Sequence, residues 1–471
     1  MRTPLAHSAR KKYPPQTYEA HVRGVCERAG EYAAEAECYS VKANGILSTI
    51  VRDSALLHDL GKLEERNQSV LREQSRRRRH LPVDHTDAGS AALQKMGSGC
   101  AAMLVYSHHQ GLPDLSTEFV ARGCSIFRNG NAEVRAETDA ALPALLRQHE
   151  ALFPRKPNKE VQAYDGDPAV FLRMALSCLA DADHGDTAAA FGQTEKAMPE
   201  LRPQERLAAL DHYVSKFGET DERSSLRREL YQSCRSAEAH SGFSVCGSPV
   251  GSGKTTAVMA HLLEQACKRN ARRIFVVLPY TSIIRQSVDI YRKALVLPGE
   301  TPEDVVAELH SRADFEDIET RYLTALWRAP IVVTTAVAFF ETLSSHNPAA
   351  LRRLHELPGS LIFVDEAHSA LPIRLLPLAW HWMNVLADEW SCYWVLASGS
   401  LVRYWELQPL SGLSMPQPEI AELVRPDLQR ELSRYESSRI TFRWREKPIG
   451  RKELPKWVQE APGPRLLILN T

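Results

Sequence analysis

The chain has 471 residues, more than one hydrophobic core usually supports, and this length corresponds to about three domains of ordinary size. Hydrophobic residues make up 44% and charged residues 25%, as in soluble globular proteins, which argues against a disordered, collagen-like or coiled-coil chain. Lys+Arg and Asp+Glu each number 58, so the formal charge is zero and any contact with nucleic acid requires a local basic patch.

The first residues, Met1 to Pro15, carry scattered basic side chains without a following apolar segment, and predict neither a signal peptide nor a transit peptide. Nowhere does an apolar run of the sequence approach the ~18 residues of a membrane span. The nine cysteines form no CxxC pair and are odd in number, which argues against a disulfide framework or a zinc finger. We expect a cytoplasmic protein with reduced thiols and no membrane partner.

The segment from His21 to about Asp211 is rich in alanine and favours helices. Apolar residues recur at spacings of three and four in Ala20 to Ala36, Asp87 to Met96 and Phe171 to Asp181. Residues 111–160 carry several glycine, proline and charged residues, and we expect mainly loop with short helices there. The first part of the chain is therefore predicted to be an all-α domain.

An adjacent histidine and aspartate, His58 and Asp59, end the apolar stretch Ser54 to Leu57 and are followed by Gly61 and Lys62. Such a pair offers a metal an imidazole and a carboxylate that can bridge two ions. A single histidine on an apolar helix is more often a hydrogen-bonded core residue, but the whole set favours a metal site. Its other members are His21, His85, His108, His109 and Asp183.

After a polar stretch at residues 217–225, short runs rich in β-branched and aromatic residues alternate with amphipathic stretches. Alternation of strand and helix predicts a parallel sheet covered by helices. The predicted strands are Phe243–Cys246, Ile274–Leu278, Ile331–Thr334, Leu361–Val364 and Trp394–Leu396.

A glycine-rich turn, Gly251 to Thr255, follows the first strand and precedes the helix-like Thr256 to Arg269. In a phosphate-binding loop the glycines let backbone N–H groups approach the phosphates, and the helix N-terminus adds positive charge. Lys254 would reach the β- and γ-phosphates and Thr255 would hold Mg²⁺. Ser248 stands where the strict pattern has glycine. The predicted ATP-binding residues are Gly251, Ser252, Gly253, Lys254, Thr255 and Thr256.

Two carboxylates, Asp365 and Glu366, follow the strand Leu361–Val364 and are followed by Ala367 and His368. Open α/β sheets bind ligands at the carboxyl ends of their strands. Asp365 is expected to hold Mg²⁺ and Glu366 to polarise the attacking water. An acidic pair alone is usually a solvated turn, but together with the phosphate-binding loop it predicts a nucleoside triphosphatase.

This pair of motifs resembles the superfamily 2 helicases of the DEAH type. Further runs that follow strands fit the resemblance: Leu278 to Thr281 with Gln286, then Thr334-Thr335, then Ser398 to Ser400. The resemblance implies that these runs contact nucleic acid or couple it to hydrolysis. The last run departs from the usual Ser-Ala-Thr, which weakens the coupling assignment.

The order His, His-Asp, His, His-His, Asp in the helical part resembles the HD-type metal-dependent phosphohydrolases. Ahead of a DEAH helicase core, it is similar to the HD nuclease-helicase of type I CRISPR interference systems over nearly the whole chain. Leu278 to Gln286 and His85 to Ala91 fit that family closely. The resemblance implies one metal ion on His21, His58, Asp59 and Asp183, and a second on Asp59, His85, His108 and His109.

Asp181 competes with Asp183 for the last ligand position, and Asp183 is preferred because Ala182-Asp183 fits the family's pattern better. Two metal ions can activate water, hold the scissile phosphate and stabilise the leaving oxygen. An imidazole-rich set suits Mn, Fe, Co or Ni better than Mg. Lys62 could neutralise phosphate charge. The catalytic residues are predicted to be His58, Asp59, Lys62 and Glu366.

A third piece begins near Ile440 and reaches a strand-like run, Leu466 to Leu469, before Thr471. By the resemblance, it is expected to be the start of a second RecA-like domain that is truncated in this chain, so ATP hydrolysis and unwinding are expected to be impaired. The predicted domains are an HD-type nuclease domain at 1–215, a first RecA-like domain at 216–437, and a linker with the first strand of the second domain at 438–471.

We expect a multidomain nuclease-helicase of antiviral defence that cuts single-stranded DNA with its metal ions and, in a full-length form, moves along DNA with ATP. Expected partners are single-stranded DNA, an RNA-guided CRISPR surveillance complex and a separate second helicase half. One alternative is an HD phosphohydrolase of small nucleotides with a regulatory ATPase domain. The other is a non-catalytic, ATP-responsive DNA-binding remnant.

Overall fold

A computed structural model of the chain describes residues 2–10, 12–73, 80–158, 163–193, 196–309, 327–400, 402–406, 420–441, 447–460 and 462–467. A short antiparallel hairpin of β1 (Leu5–His7) and β2 (Gln16–Thr17) comes first. The helical part follows, as predicted. Its helices are α1 (Tyr18–Glu37), α2 (Ile46–Leu57), α3 (Glu65–Arg72), α4 (His85–Lys95), α5 (Gly99–Gln110), α6 (Leu115–Arg122), α7 (Ala132–Leu152) and α8 (Pro168–Ala190).

Local capping and small side chains explain how these helices begin and pack. Asp167 accepts a hydrogen bond from the Val170 N–H, and Pro168 occupies the first turn of α8, where its missing N–H costs nothing. Along α1 and α8 the buried face is rich in alanine, which allows close approach of the backbones. α1, α2 and α8 therefore form the tightly packed centre of the helical part.

The second part contains one sheet whose seven strands, counted over the described residues, all run parallel in the order β5-β6-β4-β7-β8-β3-β9. All five predicted strands are confirmed, and the short β5 and β9 are additional. The strands are β3 (Phe243–Gly247), β4 (Ile274–Leu278), β5 (Val306–Leu309), β6 (Ile331–Thr335), β7 (Leu361–Asp365), β8 (Tyr393–Ser398) and β9 (Ala421–Glu422).

Helices cover both faces of this sheet, so its strands are buried almost throughout. The predicted fold class is confirmed: a helical region is followed by a RecA-like α/β domain. The helices are α9 (Pro203–Ser215), α10 (Glu222–Ser236), α11 (Lys254–Arg269), α12 (Thr281–Leu295), α13 (Pro302–Val305), α14 (Ala336–Ser344), α15 (Pro348–Leu351), α16 (Leu376–Glu389) and α17 (Pro426–Ser438), with α18 (Leu454–Glu460) near the end of the chain.

Two hydrophobic cores lie on the two faces of the sheet. One continues from the helical part onto the face that carries Phe275 and Val277. The other contains Val276 together with Leu207 and Leu210 of α9. The predicted domain boundary at residue 215 thus falls at the end of a helix whose leucines are buried with the sheet. The sheet is packed directly against the helical part, which brings the two halves into extensive contact.

The last part of the chain contains α18 and lies at the surface. Leu466 is 86% exposed, and residues 462–467 form no strand. Residues 468–471 of the predicted strand lie outside the described residues, so the assignment of 438–471 to a second RecA-like domain stays a prediction. None of the helices in the described ranges is both long and apolar enough to span a membrane.

A buried histidine on α11 predicts acid sensitivity of the α/β half. His261 contacts the Cys234 carbonyl through Nδ1 at 3.0 Å and the Tyr393 hydroxyl through Nε2 at 2.7 Å. Burial lowers the pKa of His261 to about 4, so the unfolded chain takes up this proton first as the pH falls. We expect the free energy of unfolding to decrease between pH ~6.5 and ~4, with His261 contributing about 3 kcal/mol.

Urea titrations at pH 7 and pH 4 measure this contribution. His261→Gln should lose less stability on acidification than the wild type, whereas His240→Gln, a change at an exposed position, should match the wild type. Equal acid sensitivity in the wild type and His261→Gln would contradict the assignment.

Candidate functional site

Five helices bring the predicted metal ligands together in the helical part. His21 lies on α1, His58 and Asp59 follow α2, His85 begins α4, His108 and His109 end α5, and Asp183 lies on α8. Ligand atoms of Asp59, His85, His108 and His109 lie within 4.8 Å of one another, as do those of His21, His58 and Asp59. Asp59 belongs to both groups, the position expected for a carboxylate between two metal ions.

Asp59 faces a different histidine set with each carboxylate oxygen. Oδ2 lies 3.1 Å from His21 Nε2 and 3.4 Å from His58 Nε2, whereas Oδ1 lies 3.6 Å from His85 Nε2. Asp183 Oδ1 lies 3.3 Å from His21 Nε2. The arrangement matches the two predicted ligand groups, with Asp183 beside the first.

Backbone carbonyls fix the orientation of two imidazoles. The Nδ1 atom of His58 lies 2.8 Å from the Ala55 carbonyl, and that of His108 lies 2.6 Å from the Val105 carbonyl. Because a carbonyl only accepts, Nδ1 carries the proton and Nε2 presents its lone pair to the cluster. The buried atoms His85 Nε2, His108 Nε2 and Asp59 Oδ1 have no hydrogen-bond partner among the described residues. Unsatisfied buried acceptors of this kind fit metal ions.

The charges of the cluster also suit cation binding. Burial opposes ionisation of Asp59, but Lys62, whose Nζ lies 2.5 Å away, and His58 hold its pKa well below the usual range. Burial lowers the pKa of His85 to about 4 and that of His108 well below its ordinary value. An ionised carboxylate and neutral imidazoles are the forms that bind divalent metal ions.

His21 differs because three carboxylates surround it. Burial disfavours its protonation, yet hydrogen bonds to Asp183, Asp186 and Asp59 raise its pKa to about 10. Binding of a metal ion to His21 would require loss of this proton, so metal uptake is expected to weaken as the pH falls.

The two candidate aspartates of α8 lie in different surroundings. Asp183 contacts the histidine cluster, whereas Asp181 forms ion pairs with Arg328 and Arg352 of the α/β half. Residues two apart on a helix differ by about 200° in direction, so both cannot face one site. Of the two, the structure places Asp183 at the histidine cluster, and its role as a metal ligand stays a prediction.

Asp186 contacts the candidate ligand His21 and was not among the residues predicted from the sequence. Its Oδ2 lies 2.7 Å from His21 Nδ1 and accepts a 2.7 Å hydrogen bond from Gln16 Nε2. A carboxylate on the second nitrogen of a metal-binding histidine orients the ring and strengthens it as a ligand. The spacing in the sequence could have pointed to Asp186, because it follows Asp183 by nearly one helical turn and so lies on the same face of α8.

Removal of this carboxylate should weaken metal binding without removing a ligand. We expect Asp186→Ala to lower Mn²⁺ affinity by roughly 10–100-fold, and Asp186→Asn by less, because an amide oxygen still accepts from His21. Equilibrium dialysis against Mn²⁺ measures the effect. Wild-type affinity in Asp186→Ala would show that this contact does not support the site.

The phosphate-binding loop joins β3 to α11 and has the required backbone. Gly251 and Gly253 adopt φ values of +88° and +92°, which side-chain-bearing residues rarely adopt. Ser248, at the position of the missing glycine, hydrogen-bonds through Oγ to Ser252 Oγ at 3.1 Å. The ammonium of Lys254 is buried and has no hydrogen-bond partner among the described residues. An unsatisfied buried cation at a helix N-terminus fits a phosphate group.

The remaining predicted nucleotide-site residues surround this loop. Thr255 and Thr256 begin α11, and Lys254 Nζ lies 3.6 Å from Glu366 Oε1. Burial raises the pKa of Asp365 although Lys254 opposes this shift. One contact was not predicted: the guanidinium of Arg227 donates to the Gly251 carbonyl at 2.9 and 2.6 Å, and the sequence carries no signal for it.

The run at the end of β8 contacts the acidic motif directly. Ser398 Oγ lies 2.9 Å from Glu366 Oε2 and 2.8 Å from His368 Nδ1. Glu366 adopts a φ of +47°, a strained conformation that functional residues often have. The Ser-Gly-Ser run therefore hydrogen-bonds to the acidic motif even though it departs from Ser-Ala-Thr.

The other predicted runs end at the same edge of the sheet. Leu278 ends β4, and α12 begins at Thr281. Thr335 ends β6 and caps α14 by accepting a 3.1 Å hydrogen bond from the Ala338 N–H. Because parallel strands have their carboxyl ends at one edge, all these motifs line one side of the α/β half.

Comparison with known proteins agrees with this description. Residues 231–374 match the DEAD/DEAH box helicase family. No curated protein matches the chain in sequence. Crystal structures of T. fusca Cas3 have a similar fold: the ADP form has a TM-score of 0.56 and 17% identity over 85% of this chain and 51% of that chain. The ATP form has a TM-score of 0.52 and 18% identity over 84% and 50%.

The chain spans about half the length of these Cas3 structures. At such low identity the structural likeness establishes the fold only. The family match concerns residues 231–374, which belong to the α/β half. The chain is thus similar to Cas3 in fold, with a helical half that carries a buried His/Asp cluster and a segment, residues 231–374, that matches the DEAD/DEAH box helicase family.

Proposed function

We propose that the chain is the nuclease and first motor domain of a CRISPR-associated nuclease-helicase that degrades single-stranded DNA in antiviral defence. The observation that carries the proposal is the pair of sites on one chain. A buried cluster with free imidazole Nε2 atoms around Asp59 lies in one half, and a phosphate-binding loop with an unsatisfied Lys254 lies in the other. Neither site alone would point to coupled DNA cleavage and ATP use.

In the nuclease half, His21, His58, Asp59 and Asp183 would hold one divalent metal ion and Asp59, His85, His108 and His109 the second. When bound, Mn, Fe, Co or Ni ions would supply an activated water and charge neutralisation at the scissile phosphate. Asp59 and Asp183 supply the anionic ligands, and the carbonyl-bound His58 and His108 keep fixed orientations. Lys62 Nζ, beside Asp59, would neutralise phosphate charge.

In the motor half, Lys254 would contact the β- and γ-phosphates of ATP, while Thr255 and Asp365 would hold Mg²⁺. Glu366 would orient the attacking water, and Ser398 would couple it to nucleic acid through the Glu366 and His368 contacts. Structures of T. fusca Cas3 with ADP and with ATP are consistent with nucleotide binding to this fold. Translocation and unwinding would belong to a longer protein or to an assembly with a second helicase half.

The proposed partners are single-stranded DNA and an RNA-guided surveillance complex that exposes it. The formal charge of zero gives the chain no overall attraction for DNA, so recruitment by a partner would supply the local concentration. This part of the proposal derives from the resemblance of the motifs to the CRISPR nuclease-helicases.

A cleavage assay on circular single-stranded DNA tests the proposal. Metal-stripped protein receives Mn²⁺, Co²⁺, Ni²⁺, Fe²⁺ or Mg²⁺ without ATP, and mononucleotides and cyclic nucleotides are offered in parallel. Cutting of the circle while the small nucleotides survive is the expected result. Hydrolysis of small nucleotides with an intact circle would favour a small-nucleotide phosphohydrolase. Nucleotide-dependent DNA binding without cleavage in any metal would favour a binding remnant.

A further inference from the structure

One segment of the α/β half contacts α5 and α8, two of the five helices that position the candidate metal ligands. We name residues 327–355 the bracing segment; it contains β6, α14 and α15. Thr335, at the end of β6, lies at the edge of the sheet where the predicted DNA-contacting runs end. From there the segment runs along the helical half to His355.

Its first attachment is to the end of α5, directly after His108 and His109. The Leu112 N–H donates to the His346 carbonyl at 3.0 Å. Gly111 has a φ of +94°, and a Cβ there would lie 2.6 Å from the His346 carbonyl oxygen. Glycine is therefore required for this close approach.

Its second attachment is to α8, the helix of Asp183. Arg173 Nε donates to the Ser345 carbonyl at 3.0 Å, and Ser177 Oγ donates to the Leu351 carbonyl at 2.6 Å. These two contacts lie on one face of α8, and both precede Asp181 in the sequence.

Asp181 completes this attachment two residues before Asp183. Its side chain is fully buried, with Oδ2 2.8 Å from Arg328 Nη2 and Oδ1 3.0 Å from Arg352 Nη2. The two arginines flank β6, α14 and α15 in the sequence. Asp181 thus joins both ends of the bracing segment to the helix that carries a metal ligand.

We propose that Asp181 is a positioning residue of the metal centre: by anchoring α8 to the bracing segment, it sets Asp183 relative to His108 and His109. The inference rests on the proposed metal-dependent function. The geometry supports this role because the bracing segment, which Asp181 joins to α8, also contacts the end of α5. Loss of the anchor would let α8 shift against α5, and ligand sets of this kind require positions held within a fraction of an ångström.

Cobalt binding to the metal-stripped full chain tests this role. We expect Asp181→Asn to lower Co²⁺ affinity at least ~10-fold, as loss of supporting contacts around metal ligands does, and to alter the visible absorption of bound Co²⁺. The affinity for an ATP analogue should stay within twofold of wild type. Nicking by Asp181→Asn should recover as the Co²⁺ concentration is raised, because the candidate ligands themselves are unchanged.

The matched control is Lys42→Met, which removes a 3.0 Å ion pair between Lys42 and Glu389 that also joins the two halves but does not involve the bracing segment. It should bind Co²⁺ like the wild type. If Asp181→Asn does not fold, Arg352→Gln, which leaves the Arg328 pair in place, decides the matter: a smaller shift in the same direction is expected.

The outcomes separate this inference from the proposed function. Unchanged Co²⁺ affinity and absorption in Asp181→Asn, or in Arg352→Gln if that variant has to be used, would overturn the positioning role alone. A wild type that binds Co²⁺ but leaves DNA intact would overturn the proposed function and leave the positioning role standing. A wild type that binds no Co²⁺ would overturn both.

Discussion

Asp59→Asn is expected to abolish metal-dependent nicking of circular single-stranded DNA, with a loss of more than ~100-fold in rate. Asp59 is shared by both candidate metal groups, with Oδ2 toward His21 and His58 and Oδ1 toward His85. An amide supplies one neutral oxygen in place of two charged ones, so both proposed ions would lose a shared anionic ligand. The effect should exceed the 10–100-fold cost of losing a supporting contact.

The carboxylate also balances the buried ammonium of Lys62. Removing the partner of a buried charge costs about 3–5 kcal/mol, so Asp59→Ala risks a folding defect that would mimic a catalytic one. Asn, which nearly keeps the shape of Asp, is therefore the preferred change. Binding of an ATP analogue by the variant reports whether the α/β half is still folded.

Asp139→Asn is the matched control, since it makes the same change on α7 at a half-exposed carboxylate that pairs with Lys95 and Arg128. It should nick at the wild-type rate. Retention of more than a tenth of the activity by Asp59→Asn would mean that the histidine cluster is not the nuclease centre.

The sheet could be predicted from the sequence because its central strands are short apolar runs rich in β-branched residues, which periodic patterns detect well. The hairpin β1–β2 and strand β9 were missed because two or three residues carry no period. Residues 132–152 form a single helix, α7, although we expected mainly loop with short helices there. Pro143 removes one hydrogen bond inside α7, and burial of Leu142 and Leu145 beside it explains why the helix continues.

The clustering of the candidate metal ligands could be predicted because the order of histidines and aspartates resembles that of the HD-type phosphohydrolases. The distinction between Asp181 and Asp183 was different, since it depends on which face of α8 meets the histidines and which meets Arg328 and Arg352. A pattern along one helix does not encode the partner of each face. The preference for Asp183 came from the family resemblance, and no such pattern pointed to Asp186 or to the bracing contacts.

Lys254→Met is expected to weaken nucleotide binding strongly while leaving ATP-independent nicking unchanged. Lys254 Nζ lies in the phosphate-binding loop, 3.6 Å from Glu366 Oε1 and without a hydrogen-bond partner among the described residues. Losing a charge-assisted contact to phosphate costs about 1.5–3 kcal/mol, or roughly 10–150-fold in affinity for MgATP. The candidate metal ligands lie in the helical half, so nicking of free single strands should stay within twofold of wild type.

The same substitution makes a prediction about stability. The buried ammonium has no hydrogen-bond partner among the described residues and is compensated there by a 3.6 Å ion pair with the partly exposed Glu366. This compensation is weak, and methionine fills a similar volume without the charge. The Tm of Lys254→Met should therefore equal or exceed that of the wild type. Lys268→Met, at a half-exposed position on the same helix, should change neither nucleotide binding nor nicking.

Calorimetric titration with MgATP and the circular-DNA assay without ATP give the two readouts on one preparation. Weakened nucleotide binding with intact nicking would support the assignment of nucleotide binding to the α/β half and DNA cleavage to the helical half. Loss of nicking in Lys254→Met, with a wild-type Tm, would instead mean that the phosphate-binding loop takes part in cleavage. The packing of the bracing segment between the halves would then be the route to examine, because it joins the sheet to α5 and α8, two of the helices that carry candidate metal ligands.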